Sequence, residues 1–139
     1  MIIESIREYF NNLESLSAFD DAININYLGA EIKNFSIEEA PTTPIIKQYT
    51  NGGSVRQFQF TFVSRGIYSQ EILQNIENSN FYEMLCEEIE NKNNKGRLPI
   101  LENAEALSID ILSSPYIISN DENTAIYQIS FRLKYFKEW

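Results

Sequence analysis

The sequence predicts an α+β domain: a mostly antiparallel sheet with helices packed on one face. Three observations carry this. Apolar–polar alternation runs through Gln57 to Phe62 and, with Ile126 the exception, through residues 125–135. Helical i, i+3/i+4 spacing is confined to residues 1–13 and 69–93. The resulting order is helix, two short strands, hairpin, paired helices, hairpin, and helices segregated from runs of strands indicate α+β. The 139 residues show no repeat, linker or low-complexity segment, so residues 1–139 read as a single domain.

Each element has its own signal. Ile2, Ile3, Ile6, Tyr9, Phe10 and Leu13 fall on one helical face, with Glu4, Arg7, Glu8 and Asn11 on the other. After the polar stretch through Asp20-Asp21, Ile23, Ile25 and Tyr27 alternate with Asn24 and Asn26 as a short strand ending before Gly29. Phe35 to Glu39 alternates likewise, until Pro41 and Pro44 break the chain. Residues 45–49 and 54–64 form a hairpin about Thr50-Asn51-Gly52-Gly53, where Asn-Gly supplies the positive φ a tight turn needs. Phe58, Phe60 and Phe62 share the apolar face of its second strand; Gln57, Gln59 and Thr61 share the polar face.

In 69–93, Ser69 can cap a short helix holding Ile72, Leu73 and Ile76. Asn78-Ser79-Asn80 reads as a break, with Asn80 capping a second helix whose inward stripe is Phe81, Leu85 and Ile89. Tyr82 and Cys86 lie beside that stripe, and Gly96 reads as the stop after a polar exit. The last third reads as two long strands. The first starts at Leu107, with Leu107, Ile109 and Ile111 inward, and continues through Tyr116 to Ile118. The second places Ala125, Tyr127, Ile129, Phe131, Leu133 and Tyr135 on one face and is expected at the centre of the sheet.

Composition narrows the function. Eleven Lys and Arg against 20 Asp and Glu give a net charge of −9. That disfavours a dedicated nucleic-acid binder or a protein docking on an anionic membrane. With no histidine in the chain, Ser-His-Asp, Cys-His and HExxH chemistry is excluded. Cys86 is the only cysteine, so no internal disulfide can form. The Met1 region carries charges where a signal peptide needs an apolar core, and a reducing cytosol is expected.

The constellations that remain are surfaces. Glu83, Glu87 and Glu90, with Glu88 nearby, form an acidic helical stripe. It reads either as a solvated face or as a surface that repels phosphate or meets a basic partner. Asp20-Asp21 and Asp110 are too scattered to make a metal site. Cys86 reads as a small hydrophobe rather than a nucleophile. Gly52-Gly53 is a turn and not a phosphate loop. Arg56 and Arg132 are expected on polar strand faces, lining a solvated or subunit-covered sheet. Nine Phe and eight Tyr exceed what one small core needs, though a sheet domain absorbs many, and some of the surplus reads as interface anchors. No catalytic, cofactor-binding or metal-binding residues are expected.

Four runs carry a family resemblance: PIIKQYTNGGSVRQFQF at 44–60, ILQNIENSNFY at 72–82, GRLPIL at 96–101 and TAIYQISFRLKYF at 124–136. Together they resemble the short tail-completion proteins of phages and prophages of low-GC Gram-positive bacteria, also labelled minor capsid or tail-terminator proteins. The matching segments are Pro44 to Tyr49, Ser54 to Phe58, Leu73 to Tyr82 and Tyr127 to Ile129. The resemblance runs from about residue 20 to the C-terminus and brings no catalytic residue with it.

It implies a non-enzymatic virion protein with a tail-terminator-like fold at the tail–neck junction, assembled in the cytoplasm of a bacterial host. Its copies would form a homohexameric ring capping the tail tube, ending tube growth and joining the neck. The implied partners are itself, the tube protein, the neck or connector protein and, in a contractile tail, the sheath. DNA would pass through without specific binding. Six copies would carry about −54 charges by simple addition, and Glu83, Glu87 and Glu90 are one candidate channel lining. Some relatives carry a chloramphenicol-resistance label, which fits poorly with a chain lacking histidine. Two other readings are a neck or head-closure protein binding the connector, and a small acyltransferase or metal-dependent nuclease.

Overall fold

The computed structural model describes residues 2–16, 24–25, 28, 34–67, 72–120 and 124–138. The chain is α+β, with the expected mostly antiparallel sheet and both helices on one face. It opens with α1 (Ile2–Asn11) and a 3-10 turn (Glu14–Leu16). Strands β1 (Asn24–Ile25), β2 (Asn34–Ala40), β3 (Ile45–Gln48) and β4 (Ser54–Ile67) follow, then α2 (Ile72–Asn94). Strands β5 (Glu105–Ile111), β6 (Tyr116–Asn120) and β7 (Thr124–Lys137) complete it.

The path of the sheet is β1-β2-β4-β7-β5, with β3 added to β4 and β6 added to β7. Among the described strands, only β1 and β2 run parallel. The long strands β4 and β7 pair without interruption from Ser54–Lys137 to Ile67–Thr124. As expected, β7 is central, with β4 along one edge and β5 and β6 along the other.

One face of this sheet builds the core. Phe35, Ile37, Phe60, Phe62, Ile129, Phe131 and Leu133 meet Ile3, Ile6 and Phe10 of α1 and Tyr82, Leu85 and Ile89 of α2. Phe10 is its aromatic hub. Its ring stacks on Phe62 at 5.4 Å and meets Phe60 and Phe131 edge-on at 5.8 and 5.5 Å. Most of the described aromatics therefore lie in or against the core, as expected of a sheet domain. A sheet this wide, roofed by two helices, consumes large rings, and among the described residues Tyr49 and Tyr116 are the exposed ones.

The β3–β4 turn forms as expected. Gly52 adopts φ 94°, and Tyr49 N–H donates to the Gly53 carbonyl at 2.8 Å. A Cβ on Gly53 would lie 2.8 Å from the Phe136 ring, so the turn calls for glycine at 52 by its φ and at 53 by close approach.

Two expectations are corrected. First, α2 is one helix with no break at Asn78-Ser79-Asn80. These residues are weak helix formers costing roughly 0.5 kcal/mol each, with no Pro or Gly among them, and packing of the following turns outweighs that. Asn80 is mid-helix and not a cap. The buried stripe is Tyr82, Leu85 and Ile89, while Phe81 is half-buried. Second, the long strand from Leu107 to Ile118 is two strands, because Pro115 lacks an N–H and the chain leaves the ladder at Leu112. The gap is bridged: Leu112 N–H donates to the Ser130 carbonyl at 2.8 Å, and Ser130 N–H donates to Ser113 Oγ at 3.2 Å. The cap at Ser69, most of the strand about Ile23–Tyr27 and the Asp20-Asp21 pair lie outside the described residues.

The end of α2 is a Schellman motif. Gly96 takes φ 72°, its N–H donates to the Asn93 carbonyl, and Arg97 N–H donates to the Lys92 carbonyl at 2.8 Å. A Cβ on Gly96 would touch nothing within 4 Å, so Gly96→Ala isolates the backbone term. It should cost about 1–2 kcal/mol, with Gly96→Asn costing less. A shift in denaturant midpoint at unchanged m-value checks this.

Candidate functional surfaces

The sheet face opposite the helices is polar and ordered by register. Gln57 pairs with Lys134, Gln59 with Arg132, Thr61 with Ser130 and Val63 with Gln128. Among the described elements, neither helix packs here. Arg132 Nε and Nη2 donate to Asp110 Oδ2 at 3.1 and 2.8 Å across β7–β5. Asp110 is thus the partner of an arginine. Both side chains are about one-third exposed, so the pair contributes modestly to stability. Ser36 and Val63, a registered pair on this face, are buried exceptions.

Arg56 does not share that face, contrary to expectation. Its register partner is Tyr135, and it alternates in phase with Phe58, Phe60 and Phe62. It therefore sits at the end of the helix-covered side, donating from Nε to Ser54 Oγ at 2.9 Å. Its polar chemistry misled: β4 runs past the end of the helical roof, so an apolar-face position there can hold a cation.

The acidic stripe is where the spacing puts it, with Glu83, Glu87 and Glu90 exposed on α2. Glu88 is different. Its Oε2 accepts Glu14 N–H at 2.7 Å and lies 3.9 Å from Lys92 Nζ. It ties the 3-10 turn to α2 and is a structural carboxylate.

Groups with displaced pKa values are buried phenols and the thiol. Burial, then the Glu88 carboxylate, pushes Tyr9 up to about 12. Burial, partly offset by Ser64, raises Tyr82. Burial, opposed by Arg56, raises Tyr135. Burial, then Glu90, raises the Cys86 thiol, which makes it a poorer nucleophile at neutral pH. Among the described residues, no three His, Cys, Asp or Glu side chains come together as a metal site. No described helix is long and apolar enough to cross a membrane.

The sheet edges hold what sequence alternation missed. Each of β3, β5 and β6 carries a bulge, between Ile45 and Lys47, Ala106 and Ser108, and Ile117 and Ser119. The extra residues are Ile46, Leu107 and Ile118, which are 46%, 43% and 47% exposed. Leu107 was expected inward; the bulge ejects it, and Ala106 packs on the core beside Ile109 and Ile111. A bulge leaves no mark on apolar periodicity. The available signal was three apolar residues in a row, Tyr116-Ile117-Ile118, beside a proline.

The chain matches no protein-family model, and no curated protein matches it.

Proposed function

We propose that this chain is a structural tail-completion protein, whose copies cap the head-proximal end of a phage or phage-like tail tube as a ring. The resemblance of the four runs carries the reading. Those runs supply the β3–β4 hairpin, much of α2 and the central strand β7. A polar sheet face on which neither described helix packs, and apolar residues at both sheet edges, suit a subunit that meets a different surface of its neighbour on each side. The partners are then further copies, the tube protein and the neck protein, with a sheath in contractile tails, and no catalysis is involved. The net charge of −9 suits a ring that DNA crosses without adhering.

The test is assembly. Purified protein added to tubes growing from purified tube protein should arrest elongation and appear by electron microscopy at one end only. In a producing host, deleting the chain should yield overlong tubes without necks. Attachment to head connectors with no effect on tube length would replace this reading with the head-closure one.

A further inference from the structure

We propose that one copy of this chain docks its β3 edge against the β5 edge of the next, with Ile46 packing on Leu107 and Lys47 facing Glu105. The argument is one of level. Lys47 pairs with Val55, Val55 with Phe136 and Phe136 with Glu105. Lys47 and Glu105 therefore end the same rung of the sheet, on opposite edges and on the same face. The bulged residues Ile46 and Leu107 sit beside that rung, within about one residue of each other along the strands.

Opposite charges and matching aliphatic knobs thus stand at equal height on the two sides of one subunit. A neighbour placed edge to edge without sliding along the strands brings each into contact with its complement. Strand direction agrees: β3 runs opposite to β4 and β5 runs with it, so β3 and β5 meet antiparallel. Edge strands are usually protected by bulges carrying polar or charged residues. Here the bulges eject aliphatics, which hinders plain strand addition but leaves side chains to interlock. On β5 the edge is occupied further along, where Ile109 N–H donates to Asn93 Oδ1 at 3.0 Å. That leaves Glu105 and Leu107 as the open portion. The two patches differ, so the contact is head-to-tail, and it makes a ring where the rotation between neighbours closes. Closure on a tail tube rests on the reading above; the contact itself rests on the two edges.

The experiment is disulfide trapping in a Cys86→Ser background, at high protein concentration and about physiological salt. One protein carries Ile46→Cys, a second carries Leu107→Cys, and the two are mixed. The 46–107 dimer should exceed the 46–46 and 107–107 dimers by about tenfold, because only the mixed contact is specific. A control with Gln59→Cys, at the centre of the open face, should give no excess. Lys47→Glu in the first protein should cut the mixed yield about three- to tenfold, and adding Glu105→Lys to the second should restore it. Equal yields of all three dimers, a dominant homodimer or no rescue by the charge swap would overturn the proposal. Trapped 46–107 links in a protein that ignores tail tubes would keep the contact and remove the tail reading. Tube capping without those links would do the reverse.

Discussion

Phe10→Ala should lower the unfolding free energy by about 3–5 kcal/mol, as full truncation of a buried aromatic does. Phe10 is fully buried, and three rings, Phe60, Phe62 and Phe131, stand within 5.8 Å of its centroid. All three belong to β4 or β7, whose mutual ladder holds them in place, so the cavity can close little. Loss of Phe10 also frees α1, a ten-residue helix too short to persist in water without tertiary contacts. Against a total stability of roughly 5–15 kcal/mol, the variant should be partly unfolded at 37 °C. Denaturant titration checks the magnitude. Met84→Ala, at an exposed site on α2, should change stability by less than about 0.5 kcal/mol. A Phe10→Ala loss below about 1 kcal/mol would mean that α1 does not roof the sheet.

The frame of the fold was legible because its two longest strands alternate through their middles, with Arg56, Val63 and Ile126 as the departures. Ala125 to Tyr135 and Phe58 to Phe62 fall on the core face, and β7 is central as its length suggested. The hairpin turn and Gly96 were legible because each rests on a backbone conformation that favours glycine. The missed features share a physical cause. The polar triplet Asn78-Ser79-Asn80 has low helix propensity, yet packing of the turns beyond it carries the helix through. Leu107 looked inward because alternation counts residues, whereas a bulge adds one without changing their chemistry. Arg56 looked outward because its charge was weighed above its phase in the strand.

The surfaces were legible by halves. The Glu83/Glu87/Glu90 stripe follows from helical spacing and is exposed as expected. The pairing of Arg132 with Asp110 needed the register of β5 against β7, which no local pattern encodes. The level shared by Lys47 and Glu105 needed two further registers, across four strands. Apolar residues displayed by edge bulges are visible only once the ladder is drawn, because a bulge leaves β3 and β5 with the local pattern of ordinary strands.

Removing one partner of the Ser64–Tyr82 hydrogen bond should cost about 1–3 kcal/mol, with a pH signature that separates the two partners. Both residues are nearly inaccessible, and their hydroxyls bond to each other between β4 and α2. Ser64→Ala leaves the Tyr82 phenol without that partner, and Tyr82→Phe leaves the serine hydroxyl without it. The double variant should lose less than the sum of the singles, because it strands neither group.

The phenol also couples folding to alkaline pH. Burial raises its pKa above the ordinary 10.0, so above pH 10 the unfolded chain releases a proton that the folded chain keeps. The stability is fully present below pH 10 and falls as pH rises beyond it. The slope is about 1.4 kcal/mol per pH unit for each phenol that stays protonated only in the fold. Tyr9 and Tyr135, also raised, act in the same direction. Tyr82→Phe should therefore be less stable than the parent at neutral pH yet lose stability less steeply above pH 10, so the two curves converge. Ser64→Ala keeps the buried phenol and should retain an alkaline slope close to the parent's. Parallel curves for Tyr82→Phe and the parent would mean that the phenol ionises as readily in the fold as outside it, and that the Ser64 bond does not hold it in the core.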